Sequence, residues 1–248
     1  MKNNTSTSQK KRVVIASLLI LIAVVFSVSG CYQRVRVGDL QTKSQTVELG
    51  DADSVNVEIQ MGAGELDVSG GASELLEASF TYNVEELNPR ATYANGRLEV
   101  KDSGVNIGIA SLADLAEYRS KWDLKLNEDV PMEMRIELGA GPSNLALGVL
   151  TLTRLNIEGG AGNVSIDLTG DWQHDLEARI GGGLGGIHLR LPGDVGLRIE
   201  VDAGIGAIDA SGLNRDGNTY TNDAYGVSDV TLGIHIVGGV GNIHMDLE

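Results

Sequence analysis

From about residue 45 onward, apolar and polar residues alternate with a period of two, and Gly-Xaa-Gly interrupts the alternation at intervals. The copies are Gly139-Ala140-Gly141, Gly160-Ala161-Gly162, Gly183-Leu184-Gly185, Gly204-Ile205-Gly206 and Gly239-Val240-Gly241, with an outlying Gly62-Ala63-Gly64. The first glycines of the last five copies lie 21, 23, 21 and 35 residues apart. Ahead of each motif the apolar series runs on to the residue between the glycines, as in Leu197, Ile199, Val201, Ala203 and Ile205. It resumes three residues later, at Ile208 and Ala210. Side chains alternate faces along a strand, so an odd step would turn the apolar set to the wrong side. A glycine bulge or corner absorbs the extra residue, because glycine adopts positive φ at no steric cost. Each repeat is therefore predicted to be two short strand arms joined at a bend, with the repeats stacked. One such repeat is too short to bury its own apolar face, and stacking supplies the core.

Ahead of the dense repeats the signals are of the same kind. Val55, Val57, Ile59, Met61 and Ala63 alternate, with Leu66 and Val68 beyond the bend. Residues 78–84 and 91–100 read as strands, the second pair hinged at Asn95-Gly96, a strong tight-turn signal. Residues 111–118 form the one predicted helix, with Ser111 as its cap and Leu112, Leu115 and Ala116 sharing a face. Trp122, Leu124 and Leu126 alternate again before a turn at residues 127–131. The loop at residues 214–226, polar with Tyr220 and Tyr225, lengthens the last interval. Such an insertion suits recognition, or equally a cover over the end of the core.

The first thirty residues read as a targeting segment. Lys10, Lys11 and Arg12 precede the apolar run Val13 to Val28, sixteen residues long and short of the about twenty a spanning helix needs. The run ends in Val28-Ser29-Gly30-Cys31, and Cys31 is the only cysteine in the chain. This box resembles a bacterial lipoprotein signal, which implies diacylglyceryl modification of the Cys31 sulfur and cleavage before it. An uncleaved membrane anchor with an incidental cysteine is the alternative. Lipidation accounts for a lone thiol in a protein bound for an oxidising compartment, since that thiol is used as the anchor.

Charge narrows the function classes. Residues 1–30 carry four cationic residues and no acids, so cleavage leaves 15 Lys+Arg against 34 Asp+Glu, a net of −19. Such a surface repels nucleic acid and anionic headgroups and keeps an edge-rich β protein soluble.

Candidate chemistry is sparse. Gly181-Gly-Gly-Leu-Gly-Gly186 has the letters of a dinucleotide fingerprint, but an alternating strand, Ile187 to Leu191, follows where a helix is required. The starts at Gly159 and Gly238 match the calcium-binding β-roll repeat, yet Val164 and Ile243 occupy its aspartate position. His188 and His244 stand three residues beyond the second glycine of their copies. Equivalent positions hold Asp67, Asn144, Ser165 and Asp209. Stacking would line these up as a polar ladder. The other histidines are His174 and His235. No metal site is assigned, for want of a tight ligand spacing. No nucleophile elbow, zinc-helix motif or P-loop is present. Acidic pairs such as Glu85-Glu86 and Glu200/Asp202 exist, the latter on the solvent side of a strand by alternation. Catalytic residues and cofactors are therefore read as none.

From Trp122 onward the order of elements carries a family resemblance. Trp122-Asp-Leu-Lys-Leu-Asn127, Val130-Pro131, Ile136-Glu-Leu-Gly-Ala-Gly141 and Leu150-Thr-Leu-Thr-Arg-Leu155 are similar to the bacterial toast-rack proteins. So are Gly159-Gly-Ala-Gly162, Leu191-Pro-Gly-Asp-Val-Gly-Leu-Arg-Ile199 and Gly239-Val-Gly-Asn-Ile243. The resemblance extends to the C-terminal β domain of LiaF-type cell-wall-antibiotic response proteins and to adhesin-like relatives. It implies a stacked β architecture at the cell envelope, with no catalytic residues carried over. LiaF-type proteins usually place several transmembrane helices before this domain, where this chain has a lipobox.

The chain thus reads as all-β: a stacked-repeat, β-solenoid-like toast-rack domain with one short helix. Its expected parts are a lipoprotein signal (1–30), a tether (31–44), an N-terminal toast-rack region (45–130) and a Gly-Xaa-Gly repeat domain (131–248). The expected function is that of a non-enzymatic envelope lipoprotein, anchored through Cys31 on the extracytoplasmic face of the cell or outer membrane, whose repeat β domain serves as an interaction or envelope-stress-related module. Its expected partners are an envelope protein or a second copy, and no nucleic acid. The alternative is an extracytoplasmic polysaccharide-binding or -modifying protein, against which stands an aromatic content of 4%. Cys31→Ser is expected to yield an uncleaved or soluble product, since each buried acyl methylene contributes about 0.8 kcal/mol of membrane affinity. A processed serine variant that still fractionates with membranes would disprove the lipid anchor.

Overall fold

Each Gly-Xaa-Gly joins two strands that belong to different sheets. The computed structural model describes residues 37–103, 117–202 and 204–248. In chain order the strands are β1 (Gln41–Val47), β2 (Val55–Ala63), β3 (Glu65–Ser69), β4 (Leu76–Tyr82), β5 (Arg90–Ala94), β6 (Arg97–Lys101) and β7 (Ser120–Leu126). The dense repeats follow as β8 (Met132–Ala140) with β9 (Ser143–Ala146), β10 (Leu152–Glu158) with β11 (Val164–Asp167), and β12 (Leu176–Gly181) with β13 (Ile187–Leu191). After them come β14 (Gly196–Asp202) with β15 (Ile208–Ser211), the hairpin β16 (Asn214–Asp216) and β17 (Thr219–Thr221), and finally β18 (Thr231–Val237) with β19 (Ile243–Leu247).

First arms build one sheet, in the order β16-β17-β14-β18-β12-β10-β8-β2-β6-β5. Second arms build the other, in the order β1-β4-β7-β3-β9-β11-β13-β19-β15. Neighbouring repeats pair parallel and in register. Register turns the period-two alternation into rows. Across the first-arm sheet, Val100, Ile59, Ile136, Ile157, Ile180, Ile236 and Val201 stand side by side, all buried. Opposite them, Leu124, Val68, Leu145, Ile166, Leu189 and Met245 form the matching row of the second-arm sheet. β-branched side chains suit this pleated, water-free surface, and burying each such side chain stabilises by about 1.5–3 kcal/mol. The N-terminal end is closed by antiparallel β4 and β7, where Phe80 and Trp122 pair across the strands with ring centroids 5.7 Å apart, edge to face.

The corner geometry has two parts. The second glycine of every copy has positive φ, from 128° at Gly141 to 155° at Gly241, which is what absorbs the odd step. Beyond that, consecutive corners touch backbone to backbone. A Cβ on Gly183 would lie 1.8 Å from the carbonyl oxygen of Gly160, and one on Gly185 2.0 Å from that of Gly162. The residue between the glycines is held in this stack by its own backbone. Leu184 donates its N–H to Gly160 O (2.8 Å) and accepts from Gly162 N–H (2.7 Å). That bonding turns its side chain outward, so the apolar series ends at the bend instead of continuing inward. Leu184, Val240 and Ile205 are 62%, 49% and 74% exposed.

Several local readings change in detail. β1 starts at Gln41, inside the stretch expected to be tether. The predicted boundary at residues 130/131 does not separate two bodies. β2 and β3 pair directly with β8 and β9, and one apolar cluster runs from Val55 to Met245. Asn95 and Gly96, at φ 51° and 76°, make the tight turn between β5 and β6. The helix expected over 111–118 lies, in residues 111–116, outside the described residues. The 214–226 insertion becomes the β16–β17 hairpin, which pairs antiparallel with β14 and closes the first-arm sheet. Tyr220 covers the core there at 3% exposure, while Tyr225 stays 42% exposed. Buried Asn222 ties the cap down, accepting from Leu197 N–H (2.9 Å) and donating to Val195 O (2.7 Å).

The stacking order departs from chain order at one place. The last repeat, β18–β19, lies between β12–β13 and β14–β15. The spacing of the motifs carries no sign of this.

Gly183→Ala is expected to destabilise by at least about 1–3 kcal/mol, since its Cβ meets unyielding backbone. Gly233→Ala, whose Cβ would sit an ordinary 3.7 Å from Leu176 O at a residue without positive φ, should be neutral or stabilising by up to about 1 kcal/mol. Denaturant melts of both variants check this, and equal losses would refute the corner-stacking account.

Candidate functional site

The polar ladder expected from the repeats exists. Register aligns Asp67, Asn144, Ser165, His188, His244 and Asp209 across β3, β9, β11, β13, β19 and β15. Their strand neighbours Leu66, Val68, Ile187, Leu189, Ile243 and Met245 point into the core, so this row faces solvent. At its N-terminal end, Asn144 Nδ2 donates to Asp67 Oδ1 (2.8 Å), and the Lys121 ammonium lies 2.8 Å from Asp67 Oδ2 and 2.6 Å from Glu65. Partial burial pushes the Asp67 carboxyl up, but the hydrogen bonds from Lys121 and Asn144 outweigh it and hold the group below its ordinary range.

At the other end the chemistry concentrates. The rings of His188 and His244 lie with centroids 5.1 Å apart, tilted 44° to each other. His188 Nε2 lies 2.7 Å from Asp246 Oδ2, and His244 Nε2 lies 3.0 Å from Asp246 Oδ1. His244 Nδ1 lies 3.2 Å from Asp209 Oδ2. The Asp246 carboxyl is held below its ordinary range, first by the hydrogen bond from His188, against desolvation and with His244 adding to it. Arg190, directly across from Asp246, is engaged elsewhere. It reaches Asp167 at 2.6 Å and forks onto both oxygens of Glu248 at 2.8 and 2.6 Å. Asp246 was not singled out from sequence. The available signal was His244-Met245-Asp246, an i, i+2 pair on one face of a strand.

The remaining candidates are dispersed. Glu85 and Glu86 lie in a 3-10 turn. Glu200 and Asp202 face solvent as expected, Asp202 paired with His235 Nε2 at 2.9 Å. Residues 181–186 form a strand-to-strand corner that leads into β13, which removes the helix a nucleotide-binding loop requires. Asn163 and Asn242, each following a second glycine, accept from the backbone N–H of Gly186 (2.9 Å) and Ala207 (3.0 Å) in the adjacent corner. Trp122 and Trp172 are buried, so neither offers a ring face to a sugar. Cys31 lies outside the described residues. Among the described residues no helix is long and apolar enough to cross a membrane.

The exposed corner residues form a second surface. Ala140, Ala161, Leu184, Val240 and Ile205 are bridged in that order along one edge. The row grows from alanine to branched side chains toward β15, which pairs only with β19 among the described residues.

A family model described as the N-terminal domain of toast_rack, DUF2154, matches residues 36–190. Of solved structures, one described as a "putative cell adhesion protein" from Clostridium sporogenes is 28% identical. It covers 85% of this chain and 100% of its own, with a TM-score of 0.78. A "putative adhesin" from Parabacteroides distasonis is 11% identical over 84% of this chain and 98% of its own, with a TM-score of 0.32. No curated protein matches.

The Asp67 contacts generate a pH dependence. A depressed carboxyl contributes stability above its unfolded pKa, about 3.9, and loses it as pH falls through the lower folded value. Wild type should therefore exceed Asp67→Asn in stability near neutral pH, with the gap closing in strong acid. A gap that persists unchanged in strong acid would show that the charge is not its source.

Proposed function

The chain belongs to the toast-rack family, and on that premise we propose that it is a lipid-anchored envelope protein whose β domain acts as a non-enzymatic interaction module. The domain type and its likeness to the Clostridium sporogenes structure described as a "putative cell adhesion protein" support an interaction role. The observation that carries the reading is the corner edge near β15. There Leu184, Val240 and Ile205 stack in line, 62%, 49% and 74% exposed, beside a strand with one backbone edge unpaired by any described strand. An apolar row beside an open edge costs solubility in isolation and is the kind of surface a protein partner covers. The resemblance of Val28-Ser29-Gly30-Cys31 to a lipobox supports an anchor at Cys31 on the extracytoplasmic face of a membrane. The net charge of −19 after cleavage disfavours anionic headgroups and nucleic acid as partners.

The experiment is crosslinking in intact cells from a photoreactive residue at position 205, followed by mass spectrometry. A crosslinked envelope protein or a self-crosslink is expected, lost on changing Leu184 and Val240 to aspartate. A photoreactive residue at Arg154, on the outer face of the first-arm sheet, serves as the control. Equal crosslinking from both positions, or none from 205, would overturn the assignment of this edge.

A further inference from the structure

We propose that His188, His244 and Asp246 bind one divalent cation of the zinc class, with Asp209 positioning His244. The ligand atoms of the three residues lie within 4.8 Å of one another. Two imidazole Nε2 atoms converge on a single carboxylate, at 2.7 and 3.0 Å. Zinc bonds of about 2.0–2.2 Å in tetrahedral geometry separate neighbouring ligand atoms by roughly 3.3–3.6 Å. Small side-chain rotations reach that spacing from the positions seen.

His244 faces two carboxylates, Asp209 at Nδ1 (3.2 Å) and Asp246 at Nε2 (3.0 Å). A neutral imidazole has one N–H to give. If it goes to Asp209, the Nε2 lone pair opposes an Asp246 oxygen, a contact that a cation between the two, or a second proton on the ring, would relieve. A metal-bound histidine with its other nitrogen on a carboxylate is the arrangement that fixes the tautomer and raises ligand basicity. Asp209 supplies that carboxylate from the neighbouring strand.

The surroundings fit the same ion. All four residues stand on strands whose register is fixed by the buried row behind them. Arg190, across the strands from Asp246, is already paired with Asp167 and Glu248. The side chains of His188, His244 and Asp246 are 44%, 43% and 37% exposed, leaving an open coordination position toward solvent. Two imidazoles and one carboxylate select zinc, nickel, copper or cobalt over calcium and magnesium, which prefer all-oxygen sets. A bound ion would bridge β13 to β19, and so clamp the out-of-order last repeat into the stack.

The test is calorimetric titration of the untagged full chain in detergent with zinc chloride, and absorption spectroscopy with cobalt. One equivalent of zinc is expected, together with a tetrahedral cobalt spectrum. His188→Ala and Asp246→Asn should each weaken binding at least tenfold, and Asp209→Asn by about 10–100-fold with the cobalt geometry retained. Asp209→Glu should restore affinity. His174→Ala and His235→Ala should leave binding unchanged. Circular dichroism confirms that each variant is folded, and His188→Gln replaces His188→Ala if the latter is not. No binding by wild type at millimolar zinc, or unaltered binding in a His188→Ala/His244→Ala variant, would overturn the proposal.

Discussion

Backbone touches backbone at every corner of the stack, and no side chain fits between. With the carbonyl oxygen of Gly160 pressed against Gly183, and that of Gly183 against Gly239, the strand spacing of about 4.8 Å is imposed on both sheets at once. Register follows from the same contact, because a corner cannot slide along its neighbour without breaking the two bonds, one given and one accepted, that Leu184 and each of its counterparts make to the glycines of one adjoining corner. The inner rows of isoleucine, leucine and valine are then aligned by default. The outer rows are aligned too, and nothing in the core restricts what they carry.

That division explains where chemistry can sit. Equivalent positions on the second-arm sheet hold aspartate, asparagine, serine and histidine without disturbing the fold. Identical side chains at adjacent strands become neighbours, so two histidines 56 residues apart in the chain end with their rings 5.1 Å apart. A repeat protein places functional groups by writing them at the same phase of consecutive repeats, and the backbone does the assembly.

The all-β class, the corners and the polar ladder were legible because each is a local pattern propagated by stacking. Alternation set the buried face, and the odd step located the bends. The orientation of Leu184, Ile205 and Val240 was not legible. Alternation extends the apolar series through them, while hydrogen bonds between corners turn them out. Asp246 was missed because its partners lie on another strand and on its own strand two residues away. Only register shows that one carboxylate meets both histidines. The placement of β18–β19 depends on long-range pairing, which period and spacing do not encode.

That placement has a consequence for how the molecule is made. β14 and β15 precede β18 and β19 in the chain, yet their parallel neighbours are β18 and β19 themselves. Growth of the stack in the order of synthesis halts after β13. The fourth repeat has its own hairpin cap on one flank, and its parallel pairing on the other can form only after β18 and β19 have been made. Pairings of such high sequence separation close slowly and leave apolar rows open while they do. Completion is therefore a single late insertion that seals two interfaces together, which makes assembly of this end of the stack close to all-or-none.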